Sequence, residues 1–138
     1  MESATGLWAA QWNTLMSYEI RLSEDGNYII GTINAELTRE TAQQLAKEYA
    51  AIIKSTGIKR ILNNVRGVRN EMRPGSTYDY AYNDVQAIGL PRDIRAAILV
   101  DEDDRSHHFQ ETVANNAGYC VAIFQSYEKA VAWLLEGL

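Results

Sequence analysis

The stretch Arg95-Ala-Ala-Ile-Leu-Val-Asp-Glu-Asp-Asp, residues 95–104, narrows the fold most sharply. Its first part is a short apolar run containing β-branched residues, with charge on both sides. A strand covered on both faces of a sheet reads this way. Four acids stop it, and a helical pattern opens at Ser106. Strand, polar turn and helix make half of a βαβ unit, and chains built from such units fold as a mostly parallel sheet with helices against it.

Taken in order, the chain repeats that unit. Tyr18–Leu22 alternates as a half-buried strand, and Tyr28–Ala35 reads as a second. Ser23-Glu24-Asp25-Gly26-Asn27 between them is turn chemistry, which makes the pair an antiparallel hairpin. Thr38 is a candidate cap for a helix carrying Ala42, Leu45, Ala46, Tyr49, Ile52 and Ile53 inward, stopped at Gly57. Ile58–Val65 is the third strand, parallel to the second because a helical crossover joins them. Ser76 and Asp79 resemble a capping box for a second helix with Tyr78, Ala81, Tyr82, Val85 and Ile88 on its apolar stripe and Tyr80 off it. Ser106 is expected to cap a third helix with Phe109, Val113 and Ala117 inward. Tyr119–Phe124 follows as the fifth strand. Ser126 opens a last helix that buries Tyr127, Ala130, Val131, Leu134 and Leu138. The predicted fold is therefore α/β: one mixed, mostly parallel five-stranded sheet in the order ββαβαβαβα, with helices packed on it. Residues 1–17 stand before it as an extension, and 18–138 form the domain.

Composition excludes several classes. The 138 residues suit one domain. Thirteen basic and eighteen acidic residues leave a net charge of −5. An acidic surface is poorly suited to non-specific nucleic-acid binding, which draws on Lys and Arg. Cys120 is the only cysteine, so no intrachain disulfide forms. It lies in an apolar run, where a small buried hydrophobe is expected. A reducing, cytoplasmic compartment is the expectation. No apolar run approaches the ~20 residues that span a bilayer, and the first residues lack the pattern of a secretory signal.

The segments Tyr80-Ala-Tyr-Asn-Asp-Val, Gly89-Leu-Pro-Arg-Asp-Ile-Arg-Ala-Ala-Ile-Leu-Val, Asp104-Arg-Ser-His-His-Phe-Gln-Glu-Thr and Asn116-Ala-Gly-Tyr, set in this element order, resemble the STAS family. Within it, the chain is similar to SpoIIAA-type anti-anti-sigma factors and, more narrowly, to small bacterial STAS/SEC14-like proteins. The resemblance covers about Tyr18 to Leu135. It implies a non-catalytic, regulatory binding module. In the anti-anti-sigma branch a serine at the start of the helix after the third strand is phosphorylated, within an Asp-Ser-Ser/Thr-Gly type motif. That motif is absent here. The positional counterparts are Ser76 and Thr77, where phosphate would be favoured by the helix start and by Arg73. As a plain reading, Ser76 only caps the helix.

Ligands of open α/β sheets sit beyond the carboxyl ends of the parallel strands. That edge is expected to gather Asn63, Asn64, Arg66, Arg69 and Arg73 from one connection and Asp101, Glu102, Asp103, Asp104 and Arg105 from the next. Such a rim fits a protein partner or a small ligand, with Ser76 and an outward Tyr80 beside it. The alternative is a solvated rim of weak mutual ion pairs. Asp101, Asp103, Asp104, His107 and His108 form a second candidate, a metal-dependent or enzymatic site. Yet the run lacks the glycine and spaced glutamate of an EF-hand loop, and neighbouring histidines on a helix diverge by about 100°. No nucleophile elbow, phosphate loop or dinucleotide fingerprint is present, so no cofactor is expected. Trp8, Trp12, Leu15 and Met16 would share one face of a short N-terminal helix. They either cover the domain's own sheet or form a homodimer contact.

Overall fold

The computed structural model describes residues 17–138. The N-terminal tryptophans, Trp8 and Trp12, and the dimer contact expected of them lie outside the described residues. Strands β1 (Tyr18–Leu22) and β2 (Ile29–Ile33) pair antiparallel, with Tyr18 opposite Ile33. Their turn is held by Ser23. Its Oγ accepts from the Asn27 and Tyr28 N–H groups, both at 3.1 Å, and donates to Asp25 at 2.6 Å.

Helix α1 (Arg39–Thr56) follows. Thr38 Oγ1 accepts from the Thr41 N–H at 3.2 Å, and Gly57 ends the helix in the left-handed region at φ 76°. Next come β3 (Arg60–Asn64), helix α2 (74–88), β4 (Arg95–Leu99), α3 (His108–Asn116), β5 (Cys120–Phe124) and α4 (Tyr127–Leu134). The sheet order is β1-β2-β3-β4-β5, and every pair after the first is parallel. The predicted α/β architecture and its mostly parallel sheet are therefore present.

Because each crossover steps to the next strand with the same hand, α1, α2 and α3 share one face. Ile29, Ile33, Ile61, Ala96 and Ile98 meet Leu45, Tyr49, Ala81, Val85 and Val113 there. The alternate residues Ile30, Leu62, Ala97 and Leu99 point to the other face, where Ala130 and Leu134 of α4 cover them. Two arginines fasten α4. Arg60 reaches the Leu134 and Glu136 carbonyls, the latter at 2.8 Å. Arg95 donates to the Trp133 carbonyl at 2.7 Å, with its guanidinium 4.5 Å from the Trp133 ring centre. Cations at a helix C-terminus satisfy carbonyls that have no partner within the helix.

Strand β5 is the sheet's edge, yet its outer groups are occupied. Asn115 of α3 donates to the Val121 carbonyl at 2.8 Å and accepts from the Val121 N–H at 3.0 Å. Glu111 accepts from the Ile123 N–H at 2.9 Å.

Local expectations are corrected in five places. Helix α2 is not a plain α-helix: Pro74–Asp79 and Val85–Ile88 flank a π-helical turn, Tyr80–Asp84. The wider turn rotates the following residues. Tyr80 opens that turn and packs inward against the core, while Tyr78 and Tyr82 are exposed. Ser76 does not cap this helix, because Pro74 opens it after Arg73 and Ser76 sits within its first turn. Ser106 does not cap α3 either. Its Oγ accepts from the Asn70 N–H at 2.9 Å, in the neighbouring connection. Phe109, Tyr127 and Leu138 are exposed rather than inward, and Cys120 is exposed on the edge strand.

Candidate functional site

The connections after β3 and β4 leave on the same side, because the strands are parallel and in register from Arg60 opposite Arg95. They are laced together. The Val65 N–H donates to the Leu99 carbonyl at 2.9 Å, and the Gly67 N–H donates to the Asp101 carboxylate. Asn70 Nδ2 donates to Gln110 at 3.3 Å. The expected adjacency of the two charged connections holds. Direct pairing of arginine with acid does not: among the described residues Arg66, Arg69 and Arg73 make no ion pair with Asp101, Asp103 or Asp104. Arg66 instead bonds Asn64 Oδ1 through its backbone N–H and its Nε. Arg66, Arg69, Arg73, Glu102, Asp103 and Arg105 are left in solvent.

Asp104 is spent internally. Its Oδ1 accepts from the Ser106 N–H at 2.9 Å, and its Oδ2 lies 3.5 Å from His107 Nε2. Burial pushes this carboxyl up, but the Ser106 hydrogen bonds, with His107 and Arg69 nearby, outweigh burial and hold it below the usual range. His107 is fully buried and His108 is exposed. The acids and histidines thus do not converge, and among the described residues no three metal-ligating side chains are grouped to hold an ion.

Two of the expected rim residues belong to a different place. Asn63 points to the helix-covered face and accepts from the Tyr49 hydroxyl at 2.5 Å. Tyr80 donates its hydroxyl to the Ala42 carbonyl at 3.1 Å. Burial, with Asp84 and Tyr119 nearby, holds the Tyr80 phenol well above its usual range. Both residues line a cavity of about 100 Å³ between the sheet and helices α1, α2 and α3. Its wall is mostly aliphatic, including Ile33, Leu45, Ile61, Val65, Ala81 and Ile98. Set into that wall are Tyr49, Asn63, Tyr80, His107, Gln110 and Tyr119. No Lys, Arg, Asp or Glu contributes to it.

Glycine shapes one side of the chamber. A Cβ on Gly31 would stand 1.8 Å from the Tyr49 hydroxyl, so the ring crosses β2 only because no side chain is there. On the far side, a clamp holds the π-helical turn to α1. Arg39 grips Asp84 through two bonds of 2.8 and 3.0 Å, and Gln43 adds a third of 2.9 Å.

Sequence reasoning singled out His107 for a metal and did not place it at this cavity. The signal was present, because helical spacing carried back from Ala117 through Ala114 and Gln110 reaches His107 rather than Phe109. Nothing local marked Tyr119, whose role comes from where β5 starts.

A sheet in the order β1-β2-β3-β4-β5 with an antiparallel first pair, three helices on one face and one on the other defines the SpoIIAA-like, STAS-like α/β fold. Two solved structures share it. One is an uncharacterized protein of the DUF3478 family with a SpoIIAA-like fold from Shewanella loihica PV-4. It has a TM-score of 0.53 and 19% identity, over 85% of this chain and 91% of that one. The other is the anti-sigma factor antagonist SpoIIAA in its unphosphorylated form. It has a TM-score of 0.50 and 11% identity, over 88% of this chain and 99% of that one. At these identities the likeness is one of fold. No protein-family model matches the chain, and no curated protein does. Among the described residues no helix is long and apolar enough to cross a membrane.

Proposed function

We propose that this protein is a non-catalytic, STAS-like binding module whose ligand is a small molecule enclosed between the sheet and helices α1 to α3. One observation carries the reading: the cavity of about 100 Å³ in an otherwise packed core. Native interiors rarely hold voids much larger than a water molecule. Left empty, a void of this size costs about 2 kcal/mol, a large share of a small domain's stability. A ligand that fills it recovers the lost contacts. The π-helical turn on the wall fits the reading, since such turns accompany functional sites.

Native mass spectrometry of the purified protein tests this, with a cavity-filling Ala114→Leu variant as the comparison. A bound small molecule on the wild type that is lost from the variant supports the reading. A wild type that carries nothing and takes up no small apolar probe refutes it.

The rim supports a second reading, a protein partner, because Arg66, Arg69 and Arg73 are exposed without ion pairs to the neighbouring acids. Partner capture that survives changing all three to alanine argues against that surface.

A further inference from the structure

Resting on the cavity reading, we infer that the ligand is uncharged and carries a hydroxyl group that donates to His107 Nδ1. His107 Nε2 lies 2.9 Å from the Val68 carbonyl. A carbonyl oxygen only accepts, so Nε2 bears a hydrogen, and in the neutral ring on which this inference rests Nδ1 is left as an acceptor. That Nδ1 is buried and has no partner, and the residue is 0% exposed. A buried acceptor without a partner costs about 1–3 kcal/mol. In a chamber lined mainly by aliphatic side chains, the ligand supplies the missing donor.

The Tyr119 hydroxyl is a second buried polar atom without a partner on the same wall. It precedes β5, whereas His107 precedes α3, so the two arise from different elements. No Lys, Arg, Asp or Glu lines the chamber, which sets the ligand's charge. An ammonium group would also donate to Nδ1, but no carboxylate lines the cavity to compensate it. A carboxylate or phosphate would meet no cation there. Burying either charge unpaired costs several kcal/mol. The volume sets the size. An apolar cavity of about 150 Å³ accepts benzene, so this one, at about 100 Å³, suits a molecule of about four non-hydrogen atoms, a small alcohol.

1-Propanol and ethyl methyl ether, isomers of a size that fits and of which only the alcohol can donate a hydrogen bond, make the test on the wild-type protein. Each is titrated at neutral pH and followed by amide resonances of the lining residues and by the His107 ring nitrogens. 1-Propanol should bind about tenfold more tightly than ethyl methyl ether, the worth of one hydrogen bond to a buried acceptor. It should also move the His107 Nδ1 resonance saturably, which the ether should not. Equal affinities, or an unmoved Nδ1 resonance, would overturn the hydroxyl inference while leaving the cavity as a binding site. Failure of both probes to bind would overturn the cavity reading, and this inference with it.

Discussion

Gly31→Ala tests how the chamber is built. Alanine suits a strand, and losing a glycine from the unfolded chain favours folding by up to ~1 kcal/mol. Against that, the new methyl would stand 1.8 Å from the Tyr49 hydroxyl. Ordinary contact requires the ring to retreat by roughly 1.6 Å. A shift of that size carries the hydroxyl out of range of Asn63, to which it now donates at 2.5 Å. Overpacking costs about 1–3 kcal/mol, and the broken bond adds about 1 kcal/mol. The expected net loss is about 1–3 kcal/mol.

Tyr49→Phe supplies the control. With the oxygen gone, the nearest ring atom is the one at 2.9 Å, and a much smaller retreat suffices. Gly31→Ala should therefore cost at least ~1 kcal/mol less in the Tyr49→Phe background, a coupling typical of residues in direct contact. Urea unfolding of the four proteins, followed by circular dichroism, measures the cycle. Equal cost of Gly31→Ala in both backgrounds would refute the argument that the hydroxyl occupies the space over β2.

The Arg39–Asp84 clamp carries a pH signature. Hydrogen bonds from Arg39 hold the Asp84 carboxyl below its usual range, although burial pulls the other way, and Gln43 adds to the lowering. A depressed folded-state value adds stability above the unfolded-chain value of about 4, which is lost as pH falls through the folded value. Asp84→Asn should be about 1 kcal/mol less stable than wild type at pH 7, and the urea midpoints should converge towards pH 3. Arg95→Ala removes the cap of α4 and the stacking on Trp133, and should lower stability by about 1 kcal/mol in thermal unfolding. Cys120 is exposed, so a thiol reagent should modify the native protein without denaturant. Protection until unfolding would contradict its placement on the edge strand.

The sheet was legible in the sequence because its signals are local and repeated. Runs such as Arg95–Leu99 alternate with amphipathic helices, and Thr38, Gly57 and Ser126 punctuate them as expected. What escaped reading depends on contacts between distant elements. Tyr80 and Tyr82 exchange their expected roles at the π-helical turn, and no residue in 80–84 announces that turn. Ser106 looked like a cap because serine often is one, yet its hydroxyl is taken by Asn70, thirty-six positions away. The cavity emerges only when three helices are laid on one sheet. Its Tyr49, seated over Gly31, and its polar points at His107 and Tyr119 come from separate parts of the chain.

The side chains of Asn115 and Glu111 along β5 act as a false sixth strand. An extended peptide seeking to prolong the sheet on that side would need both Val121 groups and the Ile123 N–H, and a helix of the same molecule already holds these three. Strand-by-strand polymerisation is thereby blocked at one border by an amide and a carboxylate. That gatekeeping ties solubility to the docking of α3, the same helix that roofs the chamber, so a change that lifts α3 would open the border and the chamber together.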